Sequence, residues 1–162
     1  MDKTCGTAWF LTKDGDATVL DLYDRHYPSE GVKARRKVSQ FVGPGEHIVL
    51  RTDRGDAGFV WRRFIDDSQE CGVCCSFFRN ESPILSSELV RQADAVADFV
   101  WPCARHYTFV DAPKVRSTNP GFCFVAAGWR RLKRKTGSGK IILERGPNCA
   151  CSHTPKEPPH ER

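Results

Sequence analysis

The sequence predicts an α+β domain built on a mixed, mostly antiparallel sheet with helices on both faces. An amphipathic helical segment, 86–101, lies between two short apolar segments with the composition of strands. A helix that connects two strands of one sheet makes them parallel neighbours. The other predicted strands come in pairs separated by tight turns, which makes them antiparallel. The 162 residues are enough for one domain with a buried core.

Polar turns divide the N-terminal half into short segments. Asp14-Gly15-Asp16 separates a strand from a helix with apolar residues Val19, Leu20 and Tyr23, and 53–56 is the turn of a hairpin. The predicted elements are a strand at 8–13, a helix at 17–26, paired strands at 47–52 and 57–65, and a central strand at 71–78.

The segment 86–101 is the clearest helix. Ser86 or Ser87 is predicted to cap its N-terminus, and Pro102 ends it. Its apolar residues recur at steps of three and four and predict one buried stripe, consisting of Leu85, Leu89, Ala93, Val96 and Val100.

The stretch 107–129 organises the C-terminal half. A strand at 107–110 ends at Asp111, and a loop follows. Asn119 is predicted to cap a short helix at 122–127, with Pro120 at its first position and Gly128 closing it. A hairpin at 129–135 and 140–144 completes a domain at 1–145, followed by a polar, Pro-rich tail at 146–162.

Charge and composition are those of an ordinary globular protein. The net charge is +5, concentrated in basic runs at 33–37 and 130–135, which are most often solvated surfaces. The sequence contains no apolar run long enough for a transmembrane helix and no segment resembling a signal peptide. We therefore expect a cytoplasmic protein without membrane contact, its eight cysteines reduced.

Two cysteine clusters leave a zinc-binding interaction protein open as an alternative. Cys71, Cys74 and Cys75 form one cluster, and the tail adds Cys149-Ala150-Cys151-Ser152-His153. In a strand, Cys74 would face away from the other two, and buried cysteine is also a good small apolar residue. We expect no metal site.

The order of elements and one motif resemble the GNAT superfamily of acyl-CoA N-acyltransferases. The last conserved segment of that superfamily has an Asn, an aromatic residue, a small residue, Gly and an aromatic residue. The corresponding residues here are Asn119, Phe124, Ala127, Gly128 and Trp129. Within the superfamily, segments 77–91 and 108–129 and the pair His26-Tyr27 look closest to the phage Mom-type DNA-modification proteins.

The resemblance implies a sheet that splays between strands 71–78 and 106–111, with acetyl-CoA or another acyl-CoA bound there. The start of the helix at 86 would receive the pyrophosphate. The glycines of the usual phosphate-binding turn are missing from 79–84, and Phe124 replaces a proton-donating Tyr. The residues assigned to the donor are Phe78, Arg79, Asn80, Ser86, Ser87 and Arg91, with Asn119 beside them.

Asp111 is the preferred acid–base residue, because it follows a predicted central strand at the working edge of the sheet. It could instead only cap the turn that follows. His26 and Tyr27 are the next candidates. His106 and Tyr107 would point to opposite faces of one strand, so that at most one of them faces any given site.

These observations leave three functions. The first is an acyltransferase-fold enzyme that modifies a base or amino group in DNA. The second is a GNAT N-acetyltransferase for a small amine or protein, and the third is the non-catalytic, zinc-binding protein. For the first, a positive face should gather at the mouth of the splay. Its predicted residues, besides the 130–135 run, are Arg35, Arg36, Lys37, Arg62, Arg63, Lys114 and Arg116.

Overall fold

The computed structural model describes residues 6–26, 39–65 and 69–147. Within these ranges the protein is α+β, with one seven-stranded sheet and three α-helices. The strands are β1 (Trp9–Thr12), β2 (Glu46–Thr52), β3 (Ala57–Arg63), β4 (Val73–Asn80), β5 (His106–Val110), β6 (Arg130–Lys135) and β7 (Ile141–Arg145). The helices are α1 (Ala17–Asp24), α2 (Ser86–Val100) and α3 (Phe122–Ala126).

The sheet is mixed and has the strand order β1-β2-β3-β4-β5-β7-β6. Neighbouring strands are antiparallel except β4 and β5, which are parallel and are connected by α2. This confirms the prediction that the strands flanking the amphipathic helix lie side by side in one sheet. The sequence-predicted tail lies almost entirely outside the described residues.

Helices cover both faces of the sheet, as predicted. On one face, α2 packs Leu89 and Ala93 against Phe59, Trp61 and other buried side chains. On the opposite face, α1 packs Val19 and Leu22 against alternate residues of the same strands, namely Val49, Val60 and Phe77. Each large apolar side chain buried in this way contributes about 1.5–3 kcal/mol. Most of β2 and β3 is therefore buried on both faces, whereas Phe10 and Leu11 of β1 are exposed.

Two predicted helix caps were wrong. The N-cap of α2 is Leu85, which makes no side-chain capping bond, because the hydroxyl of Ser86 accepts a hydrogen bond from the Asn80 amide at 3.0 Å. The N-cap of α3 is Gly121, not Asn119, because the chain turns through a left-handed conformation at Gly121 (φ 79°) before the helix starts. The turn before α1 behaves as expected, since the Asp16 carboxylate accepts from the backbone N–H groups of Thr18 and Val19.

The predicted apolar stripe of α2 was also wrong at both ends. Leu85 and Val100 are exposed, whereas the buried residues are Leu89, Val90, Ala93, Asp94 and Ala97. The buried face is centred on an acid, Asp94, which a hydrophobic pattern cannot predict. Its carboxylate is matched by polar groups of other elements: Oδ1 lies 2.7 Å from Nδ1 of His106, and Oδ2 accepts from the Trp129 indole at 2.9 Å.

We expect Asp94→Ala to destabilise the protein by roughly 3 kcal/mol, because it leaves the buried His106 ring and Trp129 N–H without their acceptor. Asp94→Asn, which keeps one acceptor oxygen, should cost less. Urea unfolding measures the change as a lower midpoint at an unchanged slope.

Asp21→Ala is the matched control, because it removes an exposed carboxylate that pairs with Arg25. If Asp94→Ala and Asp21→Ala had the same small effect, the buried network would not hold α2 to the sheet.

Candidate active site

The parallel strands β4 and β5 separate after two residue pairs. Val73 pairs with His106 and Cys74 with Tyr107, and the ladder then stops. The next carbonyl of β4, that of Cys75, instead accepts a hydrogen bond from the Thr108 hydroxyl at 2.8 Å. Beyond this point β4 stays paired with β3, and β5 stays paired with β7. The carboxyl ends of the two strands therefore form the walls of an opening in the sheet.

A β-bulge at Ser76 lies where the strands separate. Trp61 pairs with Cys75 and Val60 with Phe77, so Ser76 is an additional residue without a partner on β3. A bulge of this kind bends its strand and disrupts the local ladder. It also shifts the side-chain alternation, so that Phe77 packs with α1 while Cys75 and Phe78 pack on the α2 side. Ser76 itself is exposed.

Two cavities meet at this bulge. One, which we call the cleft, has a volume of about 220 Å³ and lies between the separated strand ends, with Phe78, Val110 and Phe124 among its walls. The other, which we call the basic groove, has a volume of about 280 Å³ and contains Arg62, Asp111, Lys114 and Lys140. The cleft and the groove share three lining residues, Cys75, Ser76 and Phe109.

The short helix α3 closes one side of the cleft. Gly121 starts it at φ 79°, and a Cβ atom on this residue would lie 2.7 Å from Cδ1 of Leu143 in β7. Glycine therefore allows α3 to lie directly against β7. Phe124 of α3 packs against Phe78 of β4, with ring centres 6.1 Å apart, and against Trp129 at 4.9 Å.

His26 reaches the cleft from the end of α1. Its ring lies 5.1 Å from that of Phe77, edge to face. Burial, together with the positive charge of Arg79, lowers the pKa of His26 to about 4. The imidazole is therefore neutral at pH 7 and a weak base. Its predicted companion, Tyr27, lies outside the described residues.

The loop between β4 and α2 is closed by the side chain of Asn80. The Asn80 amide donates to the carbonyl of Ile84 at 2.7 Å, and its oxygen accepts from the backbone N–H and the hydroxyl of Ser82, at 2.9 and 2.6 Å. These bonds occupy the inside of the loop, where a glycine-rich turn would leave space for a phosphate. The first turn of α2, with Ser86 and Ser87, follows directly.

Most residues predicted to bind the donor have structural partners. Phe78 lines the cleft. Arg79 donates to the carbonyl of Arg25 at the end of α1 at 2.7 Å, and it pairs with Glu81. Arg91 pairs with Glu88 and donates to the Ala126 carbonyl of α3 at 3.2 Å. The side-chain oxygen of Asn119 accepts from Arg131 of β6.

Asp111 lies where the sequence predicts it, directly after β5, and it lines the basic groove. A 3-10 turn, Ala112–Lys114, follows it, but the Asp111 side chain makes no capping bond to that turn. Nζ of Lys114 lies 3.9 Å from its carboxylate. Asp111 therefore occupies the N-cap position of this turn, but its side chain makes no capping bond to the turn.

The predicted basic residues divide into two groups. Arg62 and Lys114 line the groove, whereas Arg63 lies 3.9 Å from Glu46 and Arg116 is exposed on the loop after the turn. Arginines of the 130–135 run are bound elsewhere: Arg130 pairs with Glu144, and Arg134 pairs with Glu70. The hydrogen bonds from Arg134 and Arg105 hold the pKa of Glu70 below its ordinary value despite its burial. Arg35, Arg36 and Lys37 lie outside the described residues.

Ser76 and Lys140 are among the residues of this site that sequence reasoning missed. Ser76 is the polar residue inside the apolar run 71–78, a break in pattern that is consistent with a bulge. Lys140 follows Gly139 in the hairpin turn, and its position opposite Asp111 depends on the pairing of β7 with β5. No feature of the sequence fixes that pairing.

Among the described residues, no group of three or more His, Cys, Asp or Glu side chains is arranged to hold a metal ion. Cys74 and Cys75 face opposite sides of β4, and Cys71 is exposed before the strand begins. The tail residues Cys149, Cys151 and His153 lie outside the described part of the chain.

No protein-family model matches the chain, and no curated protein or solved structure is significantly similar to it. None of the helices in the described ranges is both long and apolar enough to cross a lipid bilayer.

We expect His26 to reduce stability in acid. Its pKa is about 4 in the folded protein against 6.5 ordinarily, so its contribution is present above pH 6.5 and is lost as the pH falls through 4. Relative to His26→Phe, wild type should lose on the order of 2 kcal/mol between about pH 7 and about pH 4.5. Urea unfolding at the two pH values measures the difference.

His47→Phe is the control, because His47 is a solvent-exposed histidine of β2. Equal pH dependence in wild type and His26→Phe would show that the His26 ring is not held in its neutral form by the fold.

Proposed function

We propose that this protein is an acyltransferase of the GNAT type that modifies an amino group of a base in DNA, as the phage Mom-type proteins do. The observation that carries the proposal is the opening between β4 and β5, two parallel strands joined by α2 and paired at their first residues alone. The short helix α3, followed by Gly128 and Trp129, lies beside that opening. This is the arrangement that the resemblance to GNAT enzymes implies.

The cleft suits the arm of an acyl-CoA. Its walls include apolar side chains, Phe78, Val110 and Phe124, and the β4 edge that faces it is unpaired after Cys74. A linear chain containing amide groups can add to such an edge as an extra strand does. Backbone groups at Phe78 to Asn80 would hold the donor, which supplies an activated acyl group when bound.

The phosphate end of the donor has a less favourable site. Asn80 occupies the loop before α2, while Arg79 and Arg91 are bound to carbonyl and carboxylate groups of the protein. The backbone N–H groups of the first turn, at Ser86 and Ser87, remain suited to a phosphate. Donor affinity therefore rests on the cleft more than on charged contacts.

We assign to Asp111 the role of acting on the acceptor. It lines the groove that adjoins the cleft at Ser76, and its carboxylate can accept a proton from an attacking amine. The amine nitrogen would form the new C–N bond as the C–S bond of the thioester breaks, and the CoA thiolate would leave and take a proton from water. Phe124 has no proton to give, and the neutral His26 lies against Phe77 at the far side of the cleft. Asp111 is the carboxylate that both geometry and chemistry favour.

We expect Asp111→Asn to lower the rate of acyl transfer by 100-fold or more, about the smallest contribution of a general base. Its melting temperature should hardly change, because the carboxylate does not cap the following turn. The assay incubates the purified full chain with acyl-labelled acetyl-CoA and DNA, and then measures label on each nucleoside after digestion.

Asp53→Asn is the matched control, because this exposed residue of the β2–β3 turn lines neither the cleft nor the groove. A comparable loss of stability in Asp111→Asn would make Asp111 structural. Full activity in Asp111→Asn would show that Asp111 is not the general base, and His26 would be the next candidate. No transfer to DNA by wild type would refute the proposed function.

A further inference from the structure

The basic groove adjoins the cleft at the bulge, and it has a distinct composition. Of the residues that the structure describes, three cations, Arg62, Lys114 and Lys140, and one carboxylate, Asp111, line it. Aromatic rings form much of the remaining wall, from Phe64, Tyr107 and Phe109. The described lining thus combines cations with the rings of Phe64 and Phe109, whereas Tyr107 is only 1% exposed.

The three cations come from separate elements, and local contacts position each element. The Arg62 guanidinium of β3 stacks on the Phe64 ring at 4.9 Å and donates to the Val42 carbonyl at 3.3 Å. Lys114 ends the 3-10 turn after β5. Lys140 follows the β6–β7 turn, where its backbone N–H donates to the Thr136 hydroxyl at 3.0 Å. Their convergence on one cavity results from the tertiary fold.

We infer that the basic groove binds the acceptor, and that this acceptor is a nucleotide, with the amine-bearing ring beside Phe64 and Phe109 and the phosphate against Lys114, Lys140 and Arg62. The inference rests on the proposed function, because it assumes that the donor occupies the adjoining cleft. It extends that function by using the charge and shape of the groove to identify the acceptor.

Charge excludes the competing acceptors. A lysine side chain or a polyamine would bring a positive charge into a cavity whose described lining carries three cations and one carboxylate. The like charges of the ligand and the groove would repel each other, and the low dielectric of a partly closed site would increase the repulsion. A phosphate instead gains charge-assisted hydrogen bonds from the same groups.

Size limits how a nucleotide can enter. The groove volume of about 280 Å³ is at the lower end for ligand sites. It accommodates one nucleotide, not a segment of duplex, so a base in a strand must leave its stack to enter. The phosphate contacts would make binding fall as salt increases.

Binding without an acyl donor tests the inference on the full-length protein. A deoxynucleoside monophosphate, its nucleoside and spermidine are titrated by calorimetry into wild type, Lys114→Gln and Lys140→Gln. We expect the monophosphate to bind at least about tenfold more tightly than the nucleoside, and each substitution to weaken monophosphate binding roughly tenfold. Nucleoside affinity should not change, and spermidine should not bind.

Lys133→Gln is the matched control, because Lys133 is exposed on β6 and does not line the groove. Single-stranded and duplex oligonucleotides distinguish a free nucleotide from a base in a strand as the natural source. Tighter binding of the single strand than of the monophosphate indicates a strand, and the reverse indicates a free nucleotide.

Equal affinity for nucleoside and monophosphate would overturn the inference, as would binding of spermidine, unchanged affinity in both lysine variants, or no nucleotide binding at millimolar concentration. Nucleotide binding without acyl transfer would retain the inference and reject the proposed function. Acyl transfer to spermidine or a lysine peptide without nucleotide binding would reject the inference and retain acyltransferase activity.

Discussion

The structure depends on where the β4–β5 ladder stops. Strands in a sheet normally stay paired, because each unpaired backbone group loses a hydrogen bond. Here the extra residue at Ser76 bends β4 away, and the Thr108 hydroxyl satisfies the last carbonyl that the ladder would have used. Each strand keeps its antiparallel partner on the other edge, so that the sheet remains one body. The opening therefore lies between two rigid walls.

The closed end of the strand pair is held by buried polar groups. His106, at the first position of β5, is fully buried against Asp94 of α2, and Arg145 of β7 pairs with Asp98 on the same helix. Removing one partner of such a buried pair lowers the free energy of unfolding strongly, because the remaining group stays buried without a partner. The network ties α2, β5 and β7 together at the end away from the cleft. We infer that this network keeps the first residues of β4 and β5 paired, and that it thereby fixes where their carboxyl ends begin to separate.

Local sequence pattern was enough to predict the helices, the strands and the parallel pair β4 and β5. Turns, strand alternation and the periodicity of α2 all depend on residues close together in the sequence. This pattern placed Asp111 at the end of β5, whereas Phe78 was assigned to the site only through the resemblance to GNAT enzymes. It failed where a long-range contact decides the outcome. Asp94 is buried because His106 and Trp129 satisfy it, and Ser86 does not cap α2 because Asn80 uses its hydroxyl. The meeting of Arg62, Lys114 and Lys140 requires three elements to pack together.

The two cavities that share Cys75, Ser76 and Phe109 differ in polarity. The cleft contains apolar side chains and a neutral imidazole, so that under the proposed function an extended, uncharged arm would be favoured there. The groove contains Arg62, Lys114 and Lys140, so that a charged partner would be favoured there. Two substrates bound in this way would meet at the bulge, because both cavities contact Ser76. The difference in polarity would then assign each substrate to its cavity without a mobile element.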